Sequence, residues 1–106
     1  MATAQENTGP AHLLDQVTGY PCPVLGARIG GNGATIVAFT GQKAASDGSY
    51  AYGVGLFVRE CDYDPYVVWS VVLRSEGDWI CESGSYCQTL GEAIEVYTSR
   101  GGRTTR

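Results

Sequence analysis

No apolar run in this chain of 106 residues approaches the roughly 18 residues that a membrane helix needs, so a helical membrane protein is not expected. Residues 1–8 carry neither a basic start nor an apolar stretch, so no signal peptide is expected and the cytoplasm is the expected location. Histidine occurs once, as His12, and none of the four cysteines forms a C-x-x-C pair. Zinc takes clustered thiolates and imidazoles, so neither a structural metal nor a cofactor is expected. Also missing are a G-x-S-x-G elbow, an H-E-x-x-H pair, a P-loop and a dinucleotide fingerprint. Cys61 or Cys87 would serve as a nucleophile only if His12 folded against it. The chain reads as non-enzymatic.

Basic residues are scarce and badly distributed. Residues 1–99 hold only Arg28, Lys43, Arg59 and Arg74 against all eleven acidic residues, a net −7, while the end of the chain adds Arg100, Arg103 and Arg106. An acidic body repels phosphate backbones, so nucleic acid is not the expected partner of the main surface. The three arginines leave a weaker alternative, a basic arm that touches nucleic acid together with the sheet. Arginine outnumbers lysine six to one amid abundant Gly, Val and Ala, a composition that suits a GC-rich bacterial or phage genome.

What is present is enough apolar sequence, 43% of residues, for one core. The last third of the chain carries the clearest pattern. Tyr66 to Leu73 is apolar on both faces apart from Ser70, the pattern of a central strand covered on both sides. The break at Ser75-Glu76-Gly77 then sets Leu73 against Trp79, Val72 against Ile80, Val71 against Cys81 and Arg74 against Asp78. A second break at Ser83-Gly84-Ser85 reads as a tight loop that sets Glu82 opposite Tyr86 and Cys81 opposite Cys87, within disulfide reach. The alternative for these thiols is to stay reduced and pack as small hydrophobes. Thr89 with Glu92 forms a capping box, Leu90, Ala93, Ile94 and Tyr97 give the helix an apolar face, and Gly101 ends it.

Upstream, residues 1–8 are polar and expected to be disordered, and Pro10 opens a short helix with Leu13, Leu14 and Val17 on its apolar side and Gly19 at its end. Val24–Ile29 and Ala34–Thr40 flank Gly30-Gly31-Asn32-Gly33, which reads as a hairpin because a strand, not a phosphate-binding helix, follows the glycines. Tyr50 to Glu60 is the longest strand. The expected architecture is α+β, an antiparallel sheet of about five strands carrying a short N-terminal helix and a capped C-terminal helix. One domain spans 9–101, followed by a flexible basic tail at 102–106. The order sheet, tight turn, capped helix resembles small sheet-plus-helix modules such as integrase arm-binding domains and antitoxin-like partner-binding domains, a likeness of fold that implies no particular function.

Three surfaces are candidates. Glu60, Asp62 and Asp64 alternate, with Tyr63 and Tyr66 beside them; on an extended backbone the carboxylates share one side. Three carboxylates alone are an incomplete cation site. An acidic, tyrosine-bearing surface suits a basic site on a larger protein, because tyrosine joins a broad apolar face to a polar tip. The expected function is therefore an interaction or inhibitor protein, of the kind a phage or mobile element encodes. The alternative is a small-ligand or nucleotide site on the Tyr50–Glu60 strand, with Gly53 and Gly55 admitting a flat ring and Tyr50, Tyr52 or Trp69 stacking on it. The Val24–Ile29 run carries only Arg28 as a charge and is a candidate open edge for a homodimer; covered by the N-terminal helix, it leaves a monomer.

Overall fold

In the computed structural model, residues 11–14, 18–29, 33–74 and 79–103 are described. Their elements in chain order are β1 (Ala11–Leu14), β2 (Pro21–Pro23), β3 (Arg28–Ile29), β4 (Ala34–Ala44), β5 (Tyr50–Arg59), β6 (Tyr66–Arg74), β7 (Trp79–Cys87) and α1 (Leu90–Ser99). Strands β3 to β7 form one antiparallel meander in sequence order, four long strands with the two-residue β3 on the outside of β4. Neighbours in sequence are neighbours in space, which short turns enforce. The α+β class and the antiparallel sheet with its C-terminal helix are as the sequence implies.

β6 is an interior strand covered on both faces. Val67, Trp69, Val71 and Leu73 join Ile36, Ala51, Phe57 and Trp79 in one core, on which Tyr20 and Ala27 pack. Val68 joins Val54, Leu56 and Cys87 on the opposite face, beneath Ala93 and Tyr97 of α1. The pairs Leu73–Trp79, Val72–Ile80 and Val71–Cys81 hold the expected register. Trp79 and Leu73 are fully buried, and each such side chain contributes about 1.5–3 kcal/mol of transfer free energy. Phe57 binds the two tryptophans into one aromatic unit, edge-on to Trp69 at 4.9 Å between centroids and stacked on Trp79 at 6.0 Å.

Three expectations are corrected. The N-terminal helix is not shown: Ala11–Leu14 runs extended and pairs antiparallel with Pro21–Pro23. A helix of about ten residues has too few internal bonds to hold itself without a packed face, and adjacent Leu13 and Leu14 satisfy strand as well as helical spacing. Residues 1–10 and 15–17, with Pro10 and Val17 of the expected helix, lie outside the described residues, as do 30–32 of the glycine-rich hairpin and 75–78, with the expected turn and the Arg74–Asp78 pair. The Val24–Ile29 strand is likewise shorter than expected. Ala27 donates its N–H to the Val24 carbonyl at 3.0 Å and Gly26, at φ +92°, donates to Ile36 at 2.8 Å, so a turn occupies 24–27 and only Arg28–Ile29 pairs as strand.

The third correction is the loop at Ser83-Gly84-Ser85. No turn forms there; β7 continues through it as a bulge, with the ladder stepping from Val68–Ser85 to Ser70–Glu82 so that Ser83 and Gly84 face Trp69 together. Ser83 takes φ +59°, the backbone excursion that a bulge demands. Gly84 is required because a Cβ there would meet Trp69 Nε1 at 2.6 Å. The bulge also decides the cysteines. Cys81 and Cys87 sit six positions apart on one strand, an even separation that would ordinarily share a face. The extra residue sends Cys81 into the tryptophan core and Cys87 under α1, and both are free thiols.

α1 begins and ends on the residues the sequence marks. Thr89 Oγ1 accepts from the Glu92 N–H at 3.1 Å, and the Glu92 carboxylate accepts from the Gln88 N–H at 3.1 Å. At the other end Gly101, φ +98°, donates to the Thr98 carbonyl at 3.0 Å and Gly102 donates to Tyr97 at 2.8 Å. These two bonds make a Schellman motif. Gly102 is buried against the Tyr97 ring, where any Cβ would collide.

Candidate interaction surface

The stretch from Glu60 to Asp64 closes the β5–β6 hairpin, and its geometry comes from Arg59. The Arg59 guanidinium donates to the carbonyls of Tyr63 at 3.2 Å and Asp64 at 2.6 Å, while the Arg59 N–H meets the Pro65 carbonyl at 2.6 Å. The same guanidinium lies 4.8 Å from the centroid of the Tyr86 ring, a cation–π contact from β7. One side chain thus holds the loop backbone from beneath. Asp64 takes φ +49°, a left-handed turn that aspartate tolerates better than most residues. The Cys61 thiol donates to the Tyr63 carbonyl at 2.9 Å.

A bent loop replaces the extended run expected for 60–64, and the three carboxylates do not act alike. Glu60 accepts a 2.7 Å ion pair from Arg28 at the β3 end. That hydrogen bond and the attached charge hold the Glu60 carboxyl below its usual range and raise Arg28 in turn. Asp62 is exposed and Asp64 half-buried, and neither has an ion-pair partner among the described residues. Tyr63 is 73% exposed, the most open large apolar side chain of the described residues. Tyr66 is half-buried and packs against the core under α1. The structure therefore brings Asp62, Tyr63 and Asp64 together at the tip, neutralises Glu60 at its base and turns Tyr66 inward.

The glycine face of β5 is full. A Cβ on Gly53 would run into the Thr40 carbonyl and the Phe39 ring, and one on Gly55 would meet Phe57 at 2.8 Å and Val71 at 3.2 Å. Phe39 and Phe57 occupy the space that a flat ligand ring would need. Trp69 lies on this buried face, whereas Tyr50 and Tyr52 point to the opposite one, 41% and 38% exposed beyond the reach of α1. The five residues do not converge on one pocket.

The three C-terminal arginines separate as well. Arg100 is half-buried and donates to the Val68 carbonyl at 2.8 Å, to Ser85 Oγ at 3.1 Å and to Ser70 Oγ at 2.8 Å. Arg103 is exposed, with its N–H fixed to Thr40 Oγ1 at 2.9 Å. Arg106 lies outside the described residues. The roles of Arg59 and Arg100 as clasps carry no sequence signal: Arg59 takes main-chain carbonyls of its own loop, which any residue type supplies, and Arg100 takes a carbonyl and two serine hydroxyls 15 to 32 residues away.

Among the described residues no cluster of three His, Cys, Asp or Glu side chains could hold a metal ion. No described helix is long and apolar enough to cross a membrane. Comparison with protein-family models, with curated proteins and with solved structures finds no match.

Proposed function

We propose that this is a non-enzymatic cytoplasmic interaction protein that docks the tip of its β5–β6 loop onto a basic site of a larger protein. The observation that carries this reading is Tyr63, 73% exposed and flanked by Asp62 and Asp64, on a loop whose backbone is fastened by Arg59. An exposed aromatic on a pre-ordered backbone loses little conformational entropy on binding, which is what makes tyrosine a recurrent anchor in interfaces. The flanking carboxylates supply attraction toward cations and exclude acidic competitors. Glu60 contributes by fixing the base of the loop through Arg28, and Tyr66 by packing, half-buried, against the core beside it. The size, the acidic body and the arginine-rich, lysine-poor composition suit an inhibitor encoded by a phage or mobile element, acting on a nucleic-acid-binding protein whose surface is basic.

The test is affinity capture from a bacterial lysate with the wild-type chain and with Asp62→Lys/Asp64→Lys and Tyr63→Ala baits, followed by reconstitution of any captured protein in pure form. A purified partner that binds wild type and loses both variants supports the reading. Capture of nothing above background, or of the same proteins by all three baits, counts against it.

A further inference from the structure

We propose that the sheet face left open beyond the C-terminal end of α1 binds single-stranded nucleic acid, with bases stacked on Tyr50 and Tyr52 and phosphates held by Lys43 and Arg103. This face and the β5–β6 loop stand at opposite ends of β5, so the two surfaces act independently.

Register places the residues. α1 covers Val54, Leu56 and Val68, and β5 pairs with β6 without interruption, so Tyr52 and Tyr50 continue the face of Val54 past the helix. Thr40, bonded to Tyr97 of α1, pairs with Val54, and beyond the bulge at Gln42 the next pair on this face is Lys43 with Tyr52. One cross-strand row therefore reads Lys43, Tyr52, Val72, Ile80, and the row outside it sets Tyr50 against Arg74. Both tyrosines are exposed. Successive same-face residues on a strand stand about 6.5–7 Å apart, which leaves each ring open to a base of its own. Every base has a π-face, so aromatic rings displayed on an open sheet take up unstacked bases with little regard to sequence.

Charge selects a phosphate backbone. Among the described residues, Arg28 and Arg59 belong to the loop end, and the remaining lysine and arginines all lie on this face. Lys43 and Arg74 flank the two tyrosines, and Arg100 reaches Ser70. Arg103 is fixed by its N–H to Thr40, and its charge is felt at the Tyr97 hydroxyl. The described carboxylates sit mostly elsewhere. Glu60, Asp62 and Asp64 are in the far loop, Glu92 is in the first turn of α1, and Glu95 is turned about 200° from buried Ala93. Asp47 is bonded within its own turn to Ser49, and Glu82, opposite Ser70 on the outermost strand, is the one described carboxylate that register sets on this face. The acidity of the chain is thus concentrated at the loop end, and the repulsion expected of the body as a whole is weakest here. An acidic peptide would satisfy the cations but not two bare rings in a row.

The experiment is fluorescence anisotropy of labelled oligothymidylate and oligouridylate, each about ten nucleotides long, titrated with the full chain at low salt. An abasic sugar-phosphate oligomer of the same length and polyglutamate serve as comparisons. The expected result is that the single strands bind, with a log–log salt slope of about −0.7 for each phosphate contact. The abasic oligomer should bind about tenfold more weakly, and Tyr52→Ala and Lys43→Glu should each weaken binding of the intact strands about tenfold. Tyr63→Ala should bind as wild type does. Tyr52 and Lys43 are exposed, so both variants should keep the wild-type circular dichroism and unfolding midpoint. The tighter of the two strands identifies the preferred sugar, and either preference supports the site. Absence of binding at low salt, equal binding of the abasic oligomer or polyglutamate, or unchanged affinity in Tyr52→Ala overturns the proposal. A loss confined to Tyr63→Ala would place the contact on the loop and overturn it as well.

Discussion

The guanidinium of Arg100, one residue beyond α1, donates at 2.8 Å to the carbonyl of Val68 in the middle of β6. The contact sits beside the bulge at Ser83 and Gly84, where the β6–β7 ladder is interrupted, and Ser70 and Ser85 on either side complete the set of acceptors. Gln42, the extra residue of a second bulge in β4, donates to the Arg100 carbonyl at 2.6 Å. Two irregularities in the sheet thereby supply the polar groups that fasten the end of the helix.

Replacing Arg100 with Met keeps much of the aliphatic stem and removes all three donors. We expect a loss of about 1–3 kcal/mol, the cost of stripping a charged donor from a partly buried carbonyl. Arg100→Lys should recover only part, since an ammonium cannot span the same fork of acceptors. Urea unfolding measures both, and a Met variant within about 0.5 kcal/mol of wild type, the range of ordinary surface changes, would mean that water replaces the clasp at no cost.

Much of the sheet and the helix is encoded in local patterns. The two-sided apolar run of β6, the Leu73–Trp79 register and the Thr89 and Gly101 caps are each written within a few residues, and each is found in the structure. The bulge at Ser83 and Gly84 is hidden in the sequence because Ser-Gly-Ser spells a turn and a bulge equally well; only Trp69 lying across from it distinguishes the two. Residues 11–14 depart from the helical expectation for a related reason, since pairing with Pro21–Pro23 is a tertiary choice that outweighs a short helix's weak local preference. At the loop, the alternating carboxylates were legible but their inequality was not. Arg28 reaches Glu60 from 32 residues away, and no spacing rule announces that.

Thr40 Oγ1 lies 2.6 Å from the Tyr97 hydroxyl and accepts from the Arg103 N–H at 2.9 Å, a buried junction of β4, α1 and the C-terminal strap. Tyr97→Phe removes one bond and leaves Thr40 with Arg103, so about 1 kcal/mol should be lost. Thr40→Val leaves both the hydroxyl and the strap amide without their partner and should cost more, about 1–3 kcal/mol. A double-mutant cycle should show coupling between the two positions. Additive effects would place the bond outside the energetics of the fold.

Gly53→Ala is expected to be severe. Its methyl would be driven into the Thr40 carbonyl, which is backbone and cannot step aside, and into the Phe39 ring. Overpacking of this kind costs about 1–3 kcal/mol or more. Phe39→Ala in the same chain should restore only the ring's share of that loss. If Gly53→Ala unfolds at the wild-type temperature, the close packing of β4 on β5 has been misjudged.

The buried thiols give the stability an alkaline limit. Burial pushes Cys81 up to about 12, and burial with the charges of Glu92 and Asp64 also raises Cys87, while Tyr97 is raised by burial and partly relieved by Thr40 and Arg103. A thiol in the unfolded chain titrates near 8.5. Below that value folded and unfolded chains bind the same protons at these sites; above it the unfolded chain alone releases them. Stability is therefore intact below about pH 8.5 and falls toward pH 12, by about 1.4 kcal/mol per pH unit for Cys81 while its two states differ, with Cys87 acting in the same direction. Cys81→Ala/Cys87→Ala should lower stability at pH 7 through the two small cavities yet flatten the slope until tyrosine begins to titrate near pH 10. In native wild type a thiol reagent should modify exposed Cys61 at once and reach Cys81 and Cys87 only on unfolding. A double variant that keeps the full slope from pH 8.5, or prompt labelling of Cys81, would show that the bulge at Ser83 does not bury these thiols on opposite faces of the sheet.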